Sequence, residues 1–392
     1  MCNPAASRTT LIYFWAFIAL GLTTASIGPT LDALASQTSA SLEQISLLFP
    51  VRSLGYLIGA LLAGRLFDRL PGHPLMALGL ALMAAGMALT PTLPLLPLLM
   101  LVLLAVGLGE GMLDVGTNTL IVWLHGIRVG PYINALHFFF GLGALLAPFL
   151  VAQSVQRSGS VAWAYWLVAG AALPAMIAVL RFPSPSHRSE ERDAEEGKIQ
   201  NPALPLILIL IAFFSLYVGA EVSFGGWVYL YAINAAGASA STAAYLTSAF
   251  WGAFTAGRLV SIAAGARLRP RLILQIDFAG ALASLALVLL RPHELWALWT
   301  GSLGFGFFIA SIFPTMFAYA GTRIRITAKI TGYIFLGATF GGMGLPWLIG
   351  QWFESTGPQI MTWAIALDLG LAVLTAAGLA VAFRRPAAER AA

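Results

Sequence analysis

Cysteine is almost absent from this sequence, because the 392 residues include only one, Cys2. A single cysteine can form neither an intrachain disulfide nor a thiolate metal cluster, so thiol redox chemistry is not indicated. The five histidines are scattered and lack the spacing of a metal-binding helix such as H-E-x-x-H. We therefore expect no cofactor and no structural metal ion, and a metalloenzyme is disfavoured.

Charge is also scarce. Charged residues make up 9% of the chain, whereas about 25% is usual in soluble domains. Hydrophobic residues account for 59%. Such a chain cannot cover a surface that faces water, so the expected surroundings are a lipid bilayer.

Runs of about 20 apolar residues, the length that crosses a bilayer, occur twelve times. The first run is too long for the apolar part of a cleaved signal peptide, so we expect it to remain as the first helix. The runs, numbered spans 1 to 12, lie at 10–33, 45–67, 74–92, 96–120, 132–155, 161–180, 203–233, 242–263, 272–290, 295–319, 330–353 and 359–383. The sequence therefore predicts an all-α polytopic membrane protein.

A hydrophilic segment at 181–202 separates spans 6 and 7. It contains serine, proline and a run of mixed charge at 190–196, which is typical of a solvated linker. We therefore predict an N-terminal six-helix bundle at 1–180, a cytoplasmic linker at 181–202 and a C-terminal six-helix bundle at 203–392.

The basic residues predict the orientation. If the N-terminus is cytoplasmic, 18 of the 21 lysines and arginines lie on the inner side, and only Arg52, Arg157 and Arg291 do not. This positive-inside bias places both termini in the cytoplasm, and the expected location is the inner cell membrane. The net charge of +5 then needs no nucleic-acid partner.

The two halves share a sequence repeat. Residues 59–66, GALLAGRL, are echoed by residues 252–259, GAFTAGRL, at the corresponding position of span 8. Six of the eight positions are identical, and the seventh residue of both segments is an arginine at the expected inner boundary. A parallel repeat of two bundles is an architecture of transporters that bind their substrate between the halves.

The loop after span 2 reads GRLFDRLPGHP, from Gly64 to Pro74. It resembles the signature of the major facilitator superfamily, although Pro71 is additional and His73 and Pro74 replace a basic pair. By this resemblance, Asp68 and Arg69 would latch the cytoplasmic side in outward-open states, and Arg258 in the repeat would belong to the same cytoplasmic gate. The alternative is a solvated turn with positive-inside charge.

A closer resemblance lies in DVGTN at 114–118 and in YVGAEVSFGGW at 217–227. These segments look like the sodium-dependent glucose transporters, a branch of the superfamily akin to the fucose–proton symporters. The resemblance implies uptake of a hexose such as glucose, driven by a sodium or proton gradient, in a protein that is not an enzyme. Span 1 lacks the internal acid of the fucose symporters, so proton coupling through it is not expected.

Span 4 carries a polar stripe. Glu110, Asp114, Thr117 and Asn118 lie within about 100° of one helix face. One interpretation is interhelical hydrogen bonding, and the other is a cavity wall. Two carboxylates favour the cavity wall, because burying them is costly. We predict ion coupling by Asp114, which would hold any sodium ion, with Glu110, Thr117 and Arg52. Arg52 either pairs with Glu110 or Asp114 or extends outward.

Span 7 carries Glu221 with aromatic neighbours, a combination suited to sugar hydroxyls and C–H faces. The predicted substrate-binding residues are Asn118, Asn134, His137, Glu221, Phe224, Trp227 and Trp251. The aromatic residues among them are alternatively part of the hydrophobic core.

Two other functions stay open at this stage. One is a proton-driven exporter of drugs or amphipathic metabolites, and the other is a membrane receptor. The repeat favours alternating access over a receptor. No nucleophile–base pair supports an intramembrane enzyme. The expected state is a monomer.

Overall fold

The computed structural model describes residues 4–67, 69–126, 129–185, 204–324 and 328–383, and this part of the chain is built from α-helices and short connections. The first half contains α1 (Pro4–Thr24), α2 (Leu31–Thr38), α3 (Leu42–Ile45), α4 (Leu48–Leu66), α5 (Gly72–Leu89), α6 (Leu96–His125), α7 (Gly130–Ser158) and α8 (Ala162–Val179). The second contains α9 (Leu204–Ala236), α10 (Ala240–Gly265), α11 (Pro270–Leu290), α12 (Leu295–Ile309), α13 (Ile312–Gly321), α14 (Ala328–Thr356) and α15 (Ile360–Ala382).

The predicted all-α polytopic architecture is confirmed. Within the described residues, ten segments are helical, long and apolar enough to cross a membrane, and α1 with α2, which meet at a bend of 42°, make an eleventh. Helix α10, predicted as span 8, is not among them although it has 26 residues. Hydroxyl residues and Arg258 lower its apolar character.

The same pairs of neighbouring helices recur in the two halves. In the first half α4 packs on α6 and α1 on α7, and in the second half α10 packs on α12 and α9 on α14. Contacts between the halves join α7 to α10 and α4 to α14. The domain boundary at 181–202 stays a prediction, because most of that segment lies outside the described residues.

The halves meet at one end of the molecule. We call the end where α1 begins and α4 ends the near side, and the opposite end the far side. On the far side the backbone N–H of Leu42 donates to Glu354 at 3.0 Å, and the amide of Gln351 donates to Ser46 at 3.2 Å. The amide of Gln153 also donates to the hydroxyl of Tyr245 at 2.6 Å. These bonds close the space between the halves from the far side.

His73, which lies at the end of the segment that resembles the superfamily signature and in the first turn of α5, has a structural role. Its ring nitrogens lie 2.8 Å from the hydroxyl of Tyr13 and 2.8 Å from the carbonyl oxygen of Phe182. Its backbone N–H donates to Ser184 at 2.9 Å. His73 is 1% exposed. It therefore joins α5 to α1 and to the chain that follows α8.

We expect His73→Ala to lower the melting temperature of the detergent-solubilised protein. The substitution leaves buried partners without their hydrogen bonds, which costs about 1–3 kcal/mol. The matched control is His293→Ala, because His293 is exposed and bonds one backbone carbonyl, that of Ala235. Equal melting temperatures of the two variants would remove the structural role of His73.

Candidate functional site

A cavity of about 730 Å³ lies between the halves, a size typical of small-molecule sites. Its walls come from α1, α4, α6 and α7 of the first half and from α9, α10, α13 and α14 of the second. The lining includes Asn134, Ser261 and Phe335, which lie towards the near-side ends of their helices. Because the far side is closed, the cavity faces the near side.

Arg52 and Glu110 form a bidentate ion pair in the wall of this cavity. The Nε of Arg52 donates to Glu110 Oε2 at 2.8 Å, and its Nη2 donates to Oε1 at 2.5 Å. Glu110 also accepts from the hydroxyl of Thr24 at 3.1 Å, and it is 2% exposed. Arg52 was predicted either to pair with Glu110 or Asp114 or to extend outward. In the structure it pairs with Glu110, and each charge balances the other.

Asp114 lies one turn further along α6 and has no cationic partner within 4.0 Å among the described residues. Its Oδ2 accepts from the hydroxyl of Tyr56 at 2.5 Å, and its Oδ1 accepts from Asn118 Nδ2 at 2.9 Å. Both donors are neutral. Asp114 is thus a hydrogen-bonded carboxylate that lines the cavity without a charge to balance it.

Glycines set the close approach of α4 and α6. A Cβ atom at Gly107 would overlap the carbonyl oxygen of Arg52, and one at Gly111 would overlap that of Tyr56. The spacing of four residues is the same on both helices, so the two pairs of contacts lie one turn apart. Small residues at this spacing let membrane helices meet backbone to backbone. This approach brings Arg52 to Glu110 and Tyr56 to Asp114.

The second half contributes Glu221 from α9 and Arg258 from α10 to the cavity wall. The guanidinium of Arg258 lies 4.6 Å above the ring of Phe254. Its Nε atom is buried without a hydrogen-bond partner in the described part of the chain. Arg258 therefore lies inside the cavity, whereas the sequence repeat places it at the inner boundary.

Helix length explains the position of Arg258. Its counterpart in the repeat, Arg65, is exposed and stands one residue before the end of α4 at Leu66. Helix α10 instead continues to Gly265, seven residues beyond Arg258. The helix therefore extends six residues further beyond Arg258 than beyond Arg65, and at 1.5 Å per residue this sets Arg258 about 9 Å further into the bundle. Of the other predicted gate residues, Arg69 is exposed on the near side and Asp68 lies outside the described residues.

Three of the predicted substrate-binding residues line the cavity, namely Asn134, His137 and Glu221. The ring of His137 makes an edge contact with Phe17, at 6.0 Å between centroids. The other four do not line it, and they are Asn118, Phe224, Trp227 and Trp251. Asn118 reaches the site only through its bond to Asp114.

The aromatic residues predicted on α9 belong to the hydrophobic core. Phe224 is fully buried and stacks on Phe305, at 4.5 Å between centroids. Trp227 is also fully buried, and its Nε1 donates to the carbonyl of Pro346 at 2.9 Å. Trp251 contacts Phe250 and is 6% exposed. The sequence left open whether these aromatic side chains bind substrate or belong to the hydrophobic core. In the structure they belong to the core.

Thr117 also lies away from the cavity. It is fully buried, and its hydroxyl donates to the carbonyl of Leu113 in its own helix at 2.7 Å. Thr117 is three residues after Asp114, so it points about 60° away from it around α6. The structure therefore does not bring Thr117 to Asp114 as an ion ligand.

Residues not singled out from the sequence complete the site. Tyr56, four residues after Arg52 on α4, holds Asp114, and this i, i+4 spacing was a usable signal. Thr24 holds Glu110 from α1. The aromatic wall is made by Phe313 and Phe317, whose rings are nearly parallel at an angle of 7°. These phenylalanines resemble many others in the sequence, so no local signal identified them.

Two further buried acids lie outside the cavity lining. Asp277 on α11 accepts a hydrogen bond from the hydroxyl of Ser311. Asp368 on α15 lies beside Gly219, with its Oδ2 buried and without a hydrogen-bond partner among the described residues.

The Major Facilitator Superfamily profile matches residues 13–346. The chain is 29% identical to sodium-dependent glucose transporter 1A of Mus musculus over 370 residues, which cover 86% of this chain and 87% of that protein. It is 31% identical to sodium-dependent glucose transporter 1 of Xenopus laevis over 380 residues, which cover 89% and 77%. The predicted resemblance to this group is confirmed.

A solved structure extends the comparison. The crystal structure of D-xylose-proton symporter aligns with a TM-score of 0.74 at 15% identity. The alignment covers 95% of this chain and 97% of that one. At this level of identity the similarity concerns the fold.

Proposed function

From the premise that this chain belongs to the Major Facilitator Superfamily, we propose that it is a symporter that takes up a hexose such as glucose together with a cation. The observation that carries the proposal is the set of charges in the central cavity. The Arg52–Glu110 pair balances itself, whereas Asp114 is a carboxyl group that two neutral donors hold in place, with no cation within 4.0 Å among the described residues. Such a carboxylate suits a cation that arrives with the substrate.

The remaining lining suits a polyhydroxylated substrate. Glu221, His137 and Asn134 offer hydrogen-bond partners for hydroxyl groups, and Phe313 and Phe317 offer apolar faces for C–H bonds. The names of the similar proteins from mouse and frog support glucose as the first sugar to test. Under the predicted orientation the near side is cytoplasmic, so the cavity faces inward, as it does in one of the two states of alternating access.

Uptake of labelled glucose into liposomes that contain the purified protein tests this proposal. We expect an inward sodium gradient to drive accumulation and an apolar organic cation not to compete. Accumulation that ignores sodium and follows a pH gradient would replace sodium by a proton. Absence of sugar uptake under every gradient, together with transport of the apolar cation, would favour the proton-driven exporter instead.

We also expect Glu221→Gln to weaken glucose binding. Hydrogen bonds to a charged group contribute about 1.5–3 kcal/mol, which corresponds to roughly a ten- to hundredfold loss of affinity. Isothermal titration in detergent measures it. The control is Ser223→Ala on the same helix, because Ser223 is fully buried and does not line the cavity. A Glu221→Gln variant that binds glucose like the wild type would remove Glu221 from the site.

A further inference from the structure

Three charged groups of the cavity have no ion-pair partner within 4.0 Å in the described part of the chain: Asp114, Glu221 and Arg258. Asp114 belongs to the first half and is fixed by Tyr56. Glu221 and Arg258 both belong to the second half. An arginine stays charged in proteins, so the positive charge of Arg258 is permanent.

Arg258 is only partly satisfied in the state that the structure describes. The ring of Phe254 covers one face of its guanidinium, and its Nε–H is buried without an acceptor. A buried donor without a partner is costly, so an acceptor that comes within reach will be bound. Arginine has a long and flexible side chain, and a change of rotamer moves its guanidinium by several ångströms.

Glu221 is the acceptor that the geometry favours. It lines the same cavity from α9, which packs beside α10 within the second half, whereas Asp114 lies in the first half. Asp114 also has both carboxylate oxygens engaged by Tyr56 and Asn118. Since Glu221 and Arg258 lie in the same half, a movement of the two halves relative to each other does not separate them.

We propose that Arg258 is a positioning residue that pairs with Glu221 through a change of rotamer, both before and after the sugar binds. The inference rests on the proposed function and names a residue that holds the sugar-binding carboxylate. Pairing fixes Glu221 as an ionised hydrogen-bond acceptor for sugar hydroxyls. It also shields Glu221 from the coupling cation, so that Asp114 is left as the one carboxylate of the cavity that is open to it.

A double-mutant cycle on glucose affinity tests the pair. We expect Arg258→Gln and Glu221→Gln each to weaken binding at least about tenfold. The double variant should bind glucose no more weakly than Glu221→Gln alone. In Glu221→Gln the guanidinium of Arg258 has already lost its partner, so replacing Arg258 as well removes nothing further. Arg258→Lys, which keeps the charge, should recover part of the affinity. The control is Arg267→Gln, because Arg267 follows the end of α10 by two residues, is exposed and lies outside the cavity lining.

A titration with sodium, or with protons at constant sodium, gives a readout that needs no sugar. Tryptophan fluorescence should follow a single-site curve in the wild type and a two-site curve in Arg258→Gln, where Glu221 is no longer shielded. The double variant should return to a single site. A merely structural role of Arg258 would not change the number of cation sites.

The outcomes separate this inference from the proposed function. Additive losses in the double variant, an unchanged affinity in Arg258→Gln or a single-site curve in that variant would each overturn the pairing. Arg258→Gln by itself could fail to fold. In that case a double variant that folds and binds glucose as well as Glu221→Gln supports the pairing, whereas a double variant that also does not fold contradicts it. Inhibition by a hexuronate that Arg258→Gln abolishes would make Arg258 an anchor for an anionic substrate instead. A wild type that takes up no hexose while its cation titrations behave as expected would contradict only the proposed function.

Discussion

Asp114→Asn is expected to abolish the accumulation of sugar against its gradient. The substitution keeps the shape of the side chain and a hydrogen-bonding group next to Tyr56, but it removes the charge that neutral donors hold in the cavity. An amide cannot take up a proton near neutral pH and is a much weaker partner for a sodium ion than a carboxylate. The ratio of internal to external sugar should therefore fall to about one, its equilibrium value.

Exchange of labelled for unlabelled sugar should survive in Asp114→Asn. Exchange moves the loaded carrier back and forth and does not require the cation site to empty and refill. Liposomes preloaded with unlabelled sugar measure it, beside net uptake under an imposed sodium or proton gradient. Continued accumulation by the variant would show that Asp114 is not the coupling carboxylate, and loss of exchange as well would indicate a defect beyond coupling.

Thr117→Val is the matched control for this experiment. The threonine lies on the same helix, is fully buried and donates its hydroxyl to Leu113 of its own backbone. Valine has nearly the same shape, and the lost hydroxyl bonded only to the carbonyl of Leu113 in its own helix, a local contact whose loss leaves the helix intact. We expect the sodium concentration for half-maximal uptake to stay unchanged. A large increase would return Thr117 to the ion site.

Arg52→Met is expected to be the most destabilising substitution in the cavity wall. It leaves Glu110, which is 2% exposed, without the cation that makes two hydrogen bonds to it. Loss of one partner from a buried ion pair costs about 3–5 kcal/mol, because an uncompensated charge stays behind. The variant should show a strongly lowered melting temperature in detergent and reduced amounts in the membrane.

The double variant Arg52→Met with Glu110→Leu should recover much of that loss. Replacing both members of a buried pair by apolar side chains is often nearly neutral, since the cost of desolvating the two charges disappears as well. Arg157→Met serves as the control, because Arg157 is exposed at the far-side end of α7 and its removal should have little effect. If Arg52→Met melts like Arg157→Met, or if the double variant is no more stable than the single one, the pair does not stabilise the wall as the geometry indicates.

The sequence by itself determined the class of the protein and the course of the chain. Apolar runs of the length of a bilayer are a property of each segment alone, so the long helices were expected where they occur. The short helices α2 and α3 and the break between α12 and α13 were not expected. Motifs at 114–118 and 217–227 indicated the relatives that the comparisons found. The acids Glu110, Asp114 and Glu221 were recognisable because an ionisable group is costly in this setting wherever it lies.

Only the tertiary structure decided which side chains share the cavity. The approach of Gly107 and Gly111 to the backbone of α4 joins Arg52 to Glu110 and leaves Asp114 to Tyr56, although 58 residues separate each pair. The rotation of α9 turns Phe224 and Trp227 into the core while Glu221 stays in the wall. The length of α10 sets Arg258 inside the cavity. Each of these placements depends on how two distant helices are rotated and spaced against each other. A hydrophobic pattern determines neither the rotation nor the spacing, because lipid and protein interior favour the same apolar side chains.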